Sequence, residues 1–507
     1  MTHDTMVRPG QPGAPVLSAR AIVKQFPGVL ALDGVDFDLA AGEVHTLLGE
    51  NGAGKSTLAS VLCGAYQPEF GSVTRHGKPV DLRSPRDGLT HGIAMVHQHF
   101  RLVERFTVSE NVVLGDPRLG RWVSRRRIDD EVARVGEEFG LPVDPSARVN
   151  DLSVGQRQRV EIVKALYRGA DVLLLDEPTA VLTPQETETL FVTVRSMTAA
   201  GKSVVFISHK LGEVVEISDR VTVMRGGVVT GEVDGARADR HELARMMVGR
   251  DIDLDAQRFS GGAPGSACLV ARGLTLVDGD QTLLDGIDLE VRAGEIVGVA
   301  GVSGNGQREL ADVLCGVARP SRGSVEIDGR LVKGVRDARI AGLAYVPEER
   351  LGTGLAPSLT IAENLLLTRR RGPVISRATV RGEAAGIIDR FEVKATGPDA
   401  KCRSLSGGNA QKVLVARELG GDGNAPKVVV AAAPTRGLDV GAIEQVRGLL
   451  DQARRDGAGV LLISEDLDEV LAMADRIIVL YRGRISFEGT GGSADRDAIG
   501  RAMAGVA

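Results

Sequence analysis

Short apolar runs alternate along the chain with longer amphipathic segments. Three of the runs are Val172-Leu173-Leu174-Leu175, Val204-Val205-Phe206-Ile207 and Val221-Thr222-Val223-Met224. Each run is rich in β-branched and aliphatic residues, which is typical of strands buried on both faces of a parallel sheet. The alternation predicts an α/β fold in which a mostly parallel sheet carries helices on both faces. Residues 101–150 are more charged and helical, so we expect a helical subdomain inserted into this pattern.

The chain contains one internal repeat. The tetrad Val61-Leu62-Cys63-Gly64 recurs 252 residues later as Val313-Leu314-Cys315-Gly316. Further along, Pro178-Thr179 recurs as Pro434-Thr435 with an offset of 256, and the matches between these points keep their order. One domain of roughly 250 residues is therefore present twice.

The two copies meet at a stretch rich in Gly, Pro and Ser. We assign residues 16–250 to the first domain, residues 251–266 to a flexible linker and residues 267–507 to the second domain. Residues 1–15 are polar and lack the apolar segment of a secretion signal, so we expect a disordered lead.

Composition narrows the possible classes of protein. The 507 residues are 43% hydrophobic and 25% charged, as in ordinary globular proteins. A formal net charge of −5 argues against a nucleic-acid partner. No apolar run is long enough to predict a membrane span. The spacing of the four cysteines fits neither a zinc site nor a disulfide framework, which favours a reducing compartment.

A glycine-rich loop lies between the strand-like residues 44–48 and a helix-like run that begins near Thr57. It fits the pattern G-x-x-x-x-G-K-[ST] of a P-loop. Glycines let backbone N–H groups face phosphate oxygens, and the helix N-terminus adds a positive dipole end. We expect Lys55 to neutralise the β- and γ-phosphates and Ser56 to bind Mg²⁺. The predicted phosphate-binding residues are Gly49, Glu50, Asn51, Gly52, Ala53, Gly54, Lys55, Ser56 and Thr57.

Two carboxylates, Asp176 and Glu177, end the apolar run at residues 172–175. At the end of a parallel strand beside a P-loop, Asp176 can hold Mg²⁺ through water and Glu177 can act as general base on the attacking water. The alternative is that both are solvated carboxylates at a strand end, and the neighbouring P-loop argues against it.

A third motif, Leu152-Ser153-Val154-Gly155-Gln156, precedes a helix-like run. Together with the P-loop and the carboxylates, it resembles the ATP-binding subunits of ABC transporters. The resemblance covers nearly the whole chain, and it implies two tandem P-loop ABC ATPase domains that use ATP and Mg²⁺.

The resemblance also implies roles for three single residues. Gln98 looks like the Q-loop glutamine, which touches Mg²⁺ and signals to the membrane subunits. His209 looks like the switch histidine that contacts the γ-phosphate, although a lone histidine is often structural. Phe26 lies where the family places an aromatic ring that stacks on adenine, and a simple core phenylalanine is the alternative there.

The second copy departs from the family pattern at its catalytic positions. The replacements are Gln307 for Lys55, Arg308 for Ser56, Ala432 for Asp176, Ala433 for Glu177, Glu465 for His209, Glu348 for Gln98 and Asp278 for Phe26. Without a phosphate lysine, a direct metal ligand or a general base, this copy cannot hydrolyse ATP by the family mechanism.

The second copy nevertheless keeps the signature residues Leu405-Ser406-Gly407-Gly408-Asn409 and the D-loop Gly437-Leu438-Asp439. The first copy has Val154 and Thr183 where Gly and Asp are usual. In this family two domains pair head to tail. The resemblance therefore implies that Ser406, Gly407, Gly408 and Asp439 complete the ATP site of the first copy, leaving one catalytic and one degenerate site.

Tandem fusion with a degenerate second half resembles the ATPase subunits of importers for simple sugars and nucleosides. The resemblance implies two separate integral-membrane permease subunits, a substrate-binding (lipo)protein acting through them, and a place at the cytoplasmic face of the membrane. Three motifs look most like the nucleoside branch: Val96-His97-Gln98-His99-Phe100, the signature at residues 152–156 and the run Ala-Ala-x-Pro-Thr-Arg-Gly-Leu-Asp at residues 431–439. A simple-sugar importer is the alternative, and a soluble tandem ATPase acting on ribosomes or nucleic acid is a more distant one.

The inserted segment raises a question about its apolar side chains. Phe100, Phe106, Val112 and Leu114 exceed what so short a segment needs for its own core. They form either a docking surface for the permease or an internal cluster, and the sequence favours neither.

Overall fold

The structure is a computed structural model of the chain. It describes residues 15–27, 29–98, 100–116, 118–119, 124–180, 182–249, 264–302, 304–368, 375–420, 425–438, 440–491 and 495–505. The chain divides into two units, Met1–Leu254 and Asp255–Ala507. Nearly all of the expected N-terminal lead and residues 251–263 of the expected linker lie outside the described residues.

The first unit contains ten named strands and eight named helices. The strands are β1 Leu17–Phe26, β2 Val29–Leu39, β3 Val44–Gly49, β4 Phe70–Arg75, β5 Lys78–Val80, β6 Ile93–Val96, β7 Val172–Asp176, β8 Ser203–Ser208, β9 Arg220–Arg225 and β10 Val228–Asp234. The helices are α1 Lys55–Leu62, α2 Pro85–Thr90, α3 Val108–Val113, α4 Arg125–Glu138, α5 Val154–Tyr167, α6 Pro184–Ala199, α7 Leu211–Ile217 and α8 Arg240–Val248.

A six-stranded sheet forms the centre of this unit, in the order β10-β9-β3-β8-β7-β6. Strands β9, β3, β8, β7 and β6 run parallel, and β10 is antiparallel to β9. Every residue of β3, β7 and β8 is buried, because helices or the second sheet cover both faces. The predicted α/β fold class, with its mostly parallel sheet, is confirmed.

A second, four-stranded sheet was not part of the sequence-based prediction. Its order is β2-β1-β4-β5, and all its pairings are antiparallel. It packs over α1 and the end of the P-loop, as the contact of Ala31 and Leu32 with the loop glycine Gly54 shows. The sheet consists of two local pairs, β1 with β2 and β4 with β5, and only the pairing of β1 with β4 joins distant segments.

The segment 101–150 is helical, as predicted. Helix α3 starts with a capping box between Thr107 and Glu110, which satisfies its first backbone N–H groups. The apolar side chains of the segment divide into two groups. Val112 is fully buried in the core around α5, whereas Phe106 and Leu114 are 37% and 49% exposed. Val112 therefore packs internally, whereas Phe106 and Leu114 are accessible to a partner.

The second unit repeats the first element by element. Its strands are β11 Ala267–Asp278, β12 Gln281–Arg292, β13 Ile296–Ala300, β14 Arg322–Ile327, β15 Arg330–Leu331, β16 Leu343–Val346, β17 Val428–Ala432, β18 Gly459–Ser464, β19 Arg476–Tyr481 and β20 Arg484–Thr490. Its helices are α9 Gln307–Leu314, α10 Val335–Ala341, α11 Ile361–Leu366, α12 Arg377–Arg390, α13 Gly407–Leu419, α14 Val440–Arg455, α15 Leu467–Met473 and α16 Arg496–Ala504.

Both sheets of the first unit recur with the same strand order and register. The four-stranded sheet has the order β12-β11-β14-β15. The six-stranded sheet, read in the same direction as in the first unit, has the order β20-β19-β13-β18-β17-β16. Val23 pairs with Phe70 in the first unit, and Thr275 pairs with Arg322 in the second, each 252 residues further on. The repeat seen in the sequence is thus a repeat of structure.

All four cysteines are free and buried. Burial raises the pKa of Cys268 and of Cys402 to about 11, so these thiols stay protonated and unreactive at neutral pH. The cysteines therefore act as small packing residues. Among the helices that the structure describes, none combines the length and apolarity needed to cross a bilayer.

Candidate nucleotide site

The P-loop lies between β3 and α1 of the first unit. Gly49 ends β3, and Gly54 caps α1 with a left-handed backbone, φ 101°. A Cβ on Gly54 would lie 2.6 Å from the carbonyl oxygen of Ala31. Only glycine tolerates both this φ and this close approach, so the second fixed glycine of the motif has a steric cause.

Lys55 lies inside the loop. Its Nζ donates hydrogen bonds to the carbonyl oxygens of Gly49, at 2.7 Å, and Glu50, at 3.0 Å. Burial lowers the pKa of the ammonium, and the carboxylates of Glu177 and Asp176 oppose that shift. The ammonium is thus fixed within the loop. A phosphate group bound there would contact both this cation and the N-terminus of α1.

Two of the three predicted metal ligands, Ser56 and Asp176, are in direct contact, whereas the third, Gln98, is hydrogen-bonded to Glu177. Ser56 Oγ donates a hydrogen bond of 2.9 Å to Asp176 Oδ1, which links the start of α1 to the end of β7. Burial raises the pKa of Asp176, while the hydrogen bond from Ser56 opposes the shift. Two neighbouring oxygen ligands suit Mg²⁺, which usually takes one or two protein ligands and completes its shell with water and phosphate. Among the described residues, no three His, Cys, Asp or Glu side chains form a cluster that could enclose a metal ion.

Glu177 is the meeting point of the predicted catalytic residues. Gln98 Nε2 donates to Glu177 Oε2 at 2.9 Å, and His209 Nδ1 lies 3.0 Å from Glu177 Oε1. Burial acts to raise the pKa of Glu177, but the hydrogen bond and charge of His209, with the charge of Lys55, lower it overall. A buried carboxylate that stays ionised is what a general base requires.

The backbone of Glu177 is in the left-handed region, with φ 45°. Its N–H donates to the carbonyl oxygen of Ile207 at 3.0 Å, so the end of β8 fixes the turn. A non-glycine residue in this region is strained by about 1–3 kcal/mol, and such strain persists only where the surroundings impose it. The turn directs the carboxylate away from the sheet edge and toward Gln98 and His209.

Glu213 is a site residue that the sequence analysis missed. Its Oε2 accepts hydrogen bonds from Thr179 Oγ1, at 2.7 Å, and from Ser208 Oγ, at 3.1 Å. It thereby ties the loop after Glu177 to the residue before His209. The same contacts recur around Glu469 in the second copy, so Glu213 supports the site as part of the scaffold that both copies share.

Phe26 is partly buried at the end of β1, and its ring contacts Tyr66 and Lys24. It pairs with Val29 at the start of β2, two residues before Ala31, whose carbonyl lies against the P-loop. The ring therefore belongs to the sheet that borders the loop.

The second copy keeps the loop backbone and changes its side chains. Gly306 caps α9 with φ 105°, close to the value at Gly54. Gln307 Nε2 donates to the carbonyl oxygen of Val302 at 2.9 Å, so a neutral amide takes the place of the ammonium. Arg308 is mostly exposed, and its Nε lies 3.9 Å from Asp312 Oδ2.

An ion-pair cluster stands where the first copy gathers Gln98, Glu177 and His209. Arg436 forms an ion pair with Glu348 and lies 3.9 Å from Glu465 Oε2. Ala433 keeps the left-handed turn of Glu177, with φ 44°, but carries no carboxylate. This copy has neither a base nor a metal ligand at the aligned positions.

The signature residues lie at the start of α13 in the second unit. Ser406 caps this helix, and its Oγ accepts a hydrogen bond of 2.7 Å from Asn409 Nδ2. Ser406 and Gly407 are exposed, and Gly408 is half-buried. Asp439, predicted to belong to the same surface, lies outside the described residues.

Comparison with known proteins identifies a family and several relatives to which the chain is similar. The ABC transporter family model matches residues 32–180 and 284–430. A ribose import ATP-binding protein of Rubrobacter xylanophilus is 45% identical, with 94% of this chain and 95% of the relative covered. A glucose import ATP-binding protein of Haloferax volcanii is 42% identical over 97% and 96% of the two chains. A guanosine import ATP-binding protein of Bacillus subtilis is 41% identical, with 93% of each covered.

Among solved structures, an archaeal ribosome recycling factor in complex with a ribosomal stalk protein matches 90% of this chain and 87% of its own. Its TM-score is 0.60 at 21% identity, a level that shows a shared fold alone. The family match covers both copies and the relatives align over nearly the full length. The chain belongs to the ABC transporter family, with two copies of its ATP-binding domain.

Proposed function

We propose that the chain is the ATPase subunit of an importer for nucleosides, with one catalytic site built on the first copy. The observation that carries the proposal is the hydrogen-bonded set at the ends of β3, β7 and β8, in which Ser56 meets Asp176 and Glu177 meets both Gln98 and His209. The aligned positions of the second copy lack this chemistry.

The first copy's own residues divide the work of ATP hydrolysis. Lys55 and the loop backbone bind and orient the phosphates. Ser56, Asp176 and Gln98 would hold Mg²⁺, which would supply positive charge to the β- and γ-phosphates. Glu177 takes up a proton from the attacking water at a carboxylate oxygen. His209 and Gln98 fix the two oxygens of that carboxylate, so its orientation is set before the reaction.

The signature surface of the second copy completes the proposal. Ser406, Gly407, Gly408 and Asp439 are assigned to the γ-phosphate side of the ATP that the first copy holds. The support is the pattern of loss, because the second copy has kept its signature while losing its P-loop lysine, metal ligand and base. The N-terminus of α13 offers backbone N–H groups of the kind that bind phosphate oxygens.

Nucleosides are the proposed substrate class, with simple sugars as the second candidate. The alanines at 432 and 433 and the relative named for guanosine import support nucleosides, whereas the relative named for ribose import supports the sugar reading. Substrate choice resides in the permease and binding protein of such systems, so both partners belong to the proposal. The chain acts from the cytoplasmic face of the membrane.

Replacing Glu177 by Gln is the central test. The amide keeps the size of the side chain and removes the base, so ATP binding should persist while kcat falls by about 10²–10⁴-fold. Steady-state ATPase assays on the permease-bound complex measure this. Glu188→Gln, an exposed glutamate on α6, is the matched control and should behave as wild type. Wild-type turnover by Glu177→Gln would refute the site.

The same variant tests the substrate. Uptake of labelled nucleoside into vesicles that hold the whole complex should require Glu177 and should be competed by unlabelled nucleoside, not by ribose. Uptake of labelled ribose, with no uptake of labelled nucleoside, would replace the nucleoside proposal by the sugar one.

His209→Ala should shift the acid limb of the pH–rate profile upward. His209 lowers the pKa of Glu177, so its removal leaves burial to raise that pKa, and the base becomes protonated at higher pH. The carboxylate is active above its pKa, so the rate is lost as pH falls through the raised value. Single-turnover assays from about pH 5 to about pH 9 suffice to follow the limb. An unmoved limb would show that Glu177 is not the titrating base.

Two substitutions in the second copy should differ sharply. Gly408→Asp places negative charge against the γ-phosphate and should abolish hydrolysis. Gln307→Ala should leave most activity, because the neutral amide supplies no phosphate charge. The control is Val154→Asp in the signature of the first copy, where Val154 aligns with Gly407. This variant should remain active. If Gln307→Ala were as inactive as Gly408→Asp, one active site per chain would be wrong.

The exposed apolar residues of the inserted segment should face the permease. Leu114→Cys and Phe106→Cys should crosslink to a cysteine in a cytoplasmic permease loop, as the 49% and 37% exposure of the two side chains allows. Val192→Cys, 71% exposed on α6, is the control and should not crosslink. The native cysteines are buried and need no replacement. Crosslinks from position 192 alone would place the docking surface elsewhere.

A further inference from the structure

Two aromatic rings of the first copy meet where the end of β1 contacts the segment after α1. The centroids of Phe26 and Tyr66 are 5.4 Å apart, and their planes cross at 75°, which is the edge-to-face arrangement that aromatic pairs favour. Phe26 ends β1, and Tyr66 lies shortly after α1, the helix that begins with the P-loop lysine. The pair therefore links the edge sheet to the phosphate-binding element.

Polar contacts fix the segment that carries Tyr66 against β1. Lys24 Nζ donates to the carbonyl oxygen of Gln67 at 2.6 Å and to Glu69 Oε1 at 2.8 Å. The other oxygen of Glu69 accepts from the backbone N–H of Gln25 at 2.8 Å. Lys24 Nζ also lies 5.5 Å from the centroid of the Phe26 ring, within the range of a cation–π contact. Both rings are thus held in fixed orientation.

The second copy has the same backbone without this group of side chains. Glu69 N–H donates to the carbonyl oxygen of Val23 at 2.9 Å, and Ser321 N–H donates to that of Thr275 at 2.7 Å, 252 residues further on. At the four positions of the group, Lys24, Phe26, Tyr66 and Glu69, the second copy has Leu276, Asp278, Ala318 and Ser321.

This contrast separates a role in folding from a role in binding. The fold of the edge sheet forms in both copies, so it does not require the rings or the ion pair. Ser321 Oγ keeps one contact of Glu69, because it accepts a hydrogen bond of 3.0 Å from the backbone N–H of Val277. The two rings and the lysine have no counterpart in the copy that lacks the phosphate lysine and the base. The rings and Lys24 therefore serve the nucleotide, whereas the backbone contact of Glu69 serves the scaffold.

We propose that Tyr66 positions the Phe26 ring for stacking on the adenine of ATP, with Lys24 and Glu69 holding the segment in place. The inference rests on the proposed function, in which the first copy binds ATP. A ring that is oriented before binding loses less conformational freedom when the base arrives, which favours affinity. Tyr66 is a positioning residue, and it acts on the base through Phe26.

The test uses the full chain and equilibrium binding of Mg·ATP. Tyr66→Ala should weaken ATP binding by about two- to tenfold, the usual worth of an aromatic pair. The KM for ATP should rise in the same proportion, with kcat changed by less than about twofold. Tyr66→Phe keeps the ring edge and should restore binding. Phe70→Ala removes a neighbouring ring that is 72% exposed, and should have no effect.

Inorganic tripolyphosphate, which has no base, separates positioning from a general defect in the P-loop. Its affinity should be the same for Tyr66→Ala and wild type. The double variant Phe26→Ala/Tyr66→Ala should bind ATP as Phe26→Ala does, because Tyr66 acts only through that ring. Equal weakening of tripolyphosphate, or an additive double variant, would overturn the proposal. These binding results are independent of Glu177→Gln turnover, so failure here is distinct from failure of the proposed function.

Discussion

Parallel strands end at a common edge, and this constraint brings the chemistry of the first copy together. The ends of β3, β7 and β8 lie side by side, so a loop at residue 49, two carboxylates at 176 and 177 and a histidine at 209 become neighbours although they are far apart in sequence. The same edge is buried, which makes every unpaired charge costly. The hydrogen bond between Ser56 and Asp176 and the contacts of Glu177 offset that cost.

The sequence predicts best what is local. The P-loop, the buried strand before Asp176 and the capped helix after Ser153 each depend on a few neighbouring residues, and the structure places all three as elements of the expected type. The pairing of β1 with β4, the contacts of Glu213 and the pairing of Tyr66 with Phe26 join distant segments, and no spacing rule identifies them. Comparison of the two copies is the one internal signal that reaches such interactions. An interaction that both copies share serves the fold, whereas one that only the first copy makes serves its chemistry.

By that criterion the two copies are one scaffold with two electrostatic environments. In the first copy an ammonium, two carboxylates and an imidazole surround the loop. In the second, a neutral amide closes the loop and Arg436 neutralises Glu348 and contacts Glu465. The second environment is internally paired, whereas the first leaves charge to be satisfied by a ligand. The side chains suited to hold Mg·ATP are thus concentrated in the first half of the chain.

The turn at Ala433 is a feature of the backbone that both copies share. Its left-handed backbone matches the turn at Glu177 to within a degree of φ, although alanine has no carboxylate to direct. A strained turn that has lost its purpose would relax under drift unless something else needed its path. Thr435 follows two residues later and is hydrogen-bonded to the buried Glu469, and the D-loop continues from there. The bend at Ala433 thus persists without the carboxylate because the chain beyond it is held by Glu469, and the backbone path of the site is separable from the side chain that it carries.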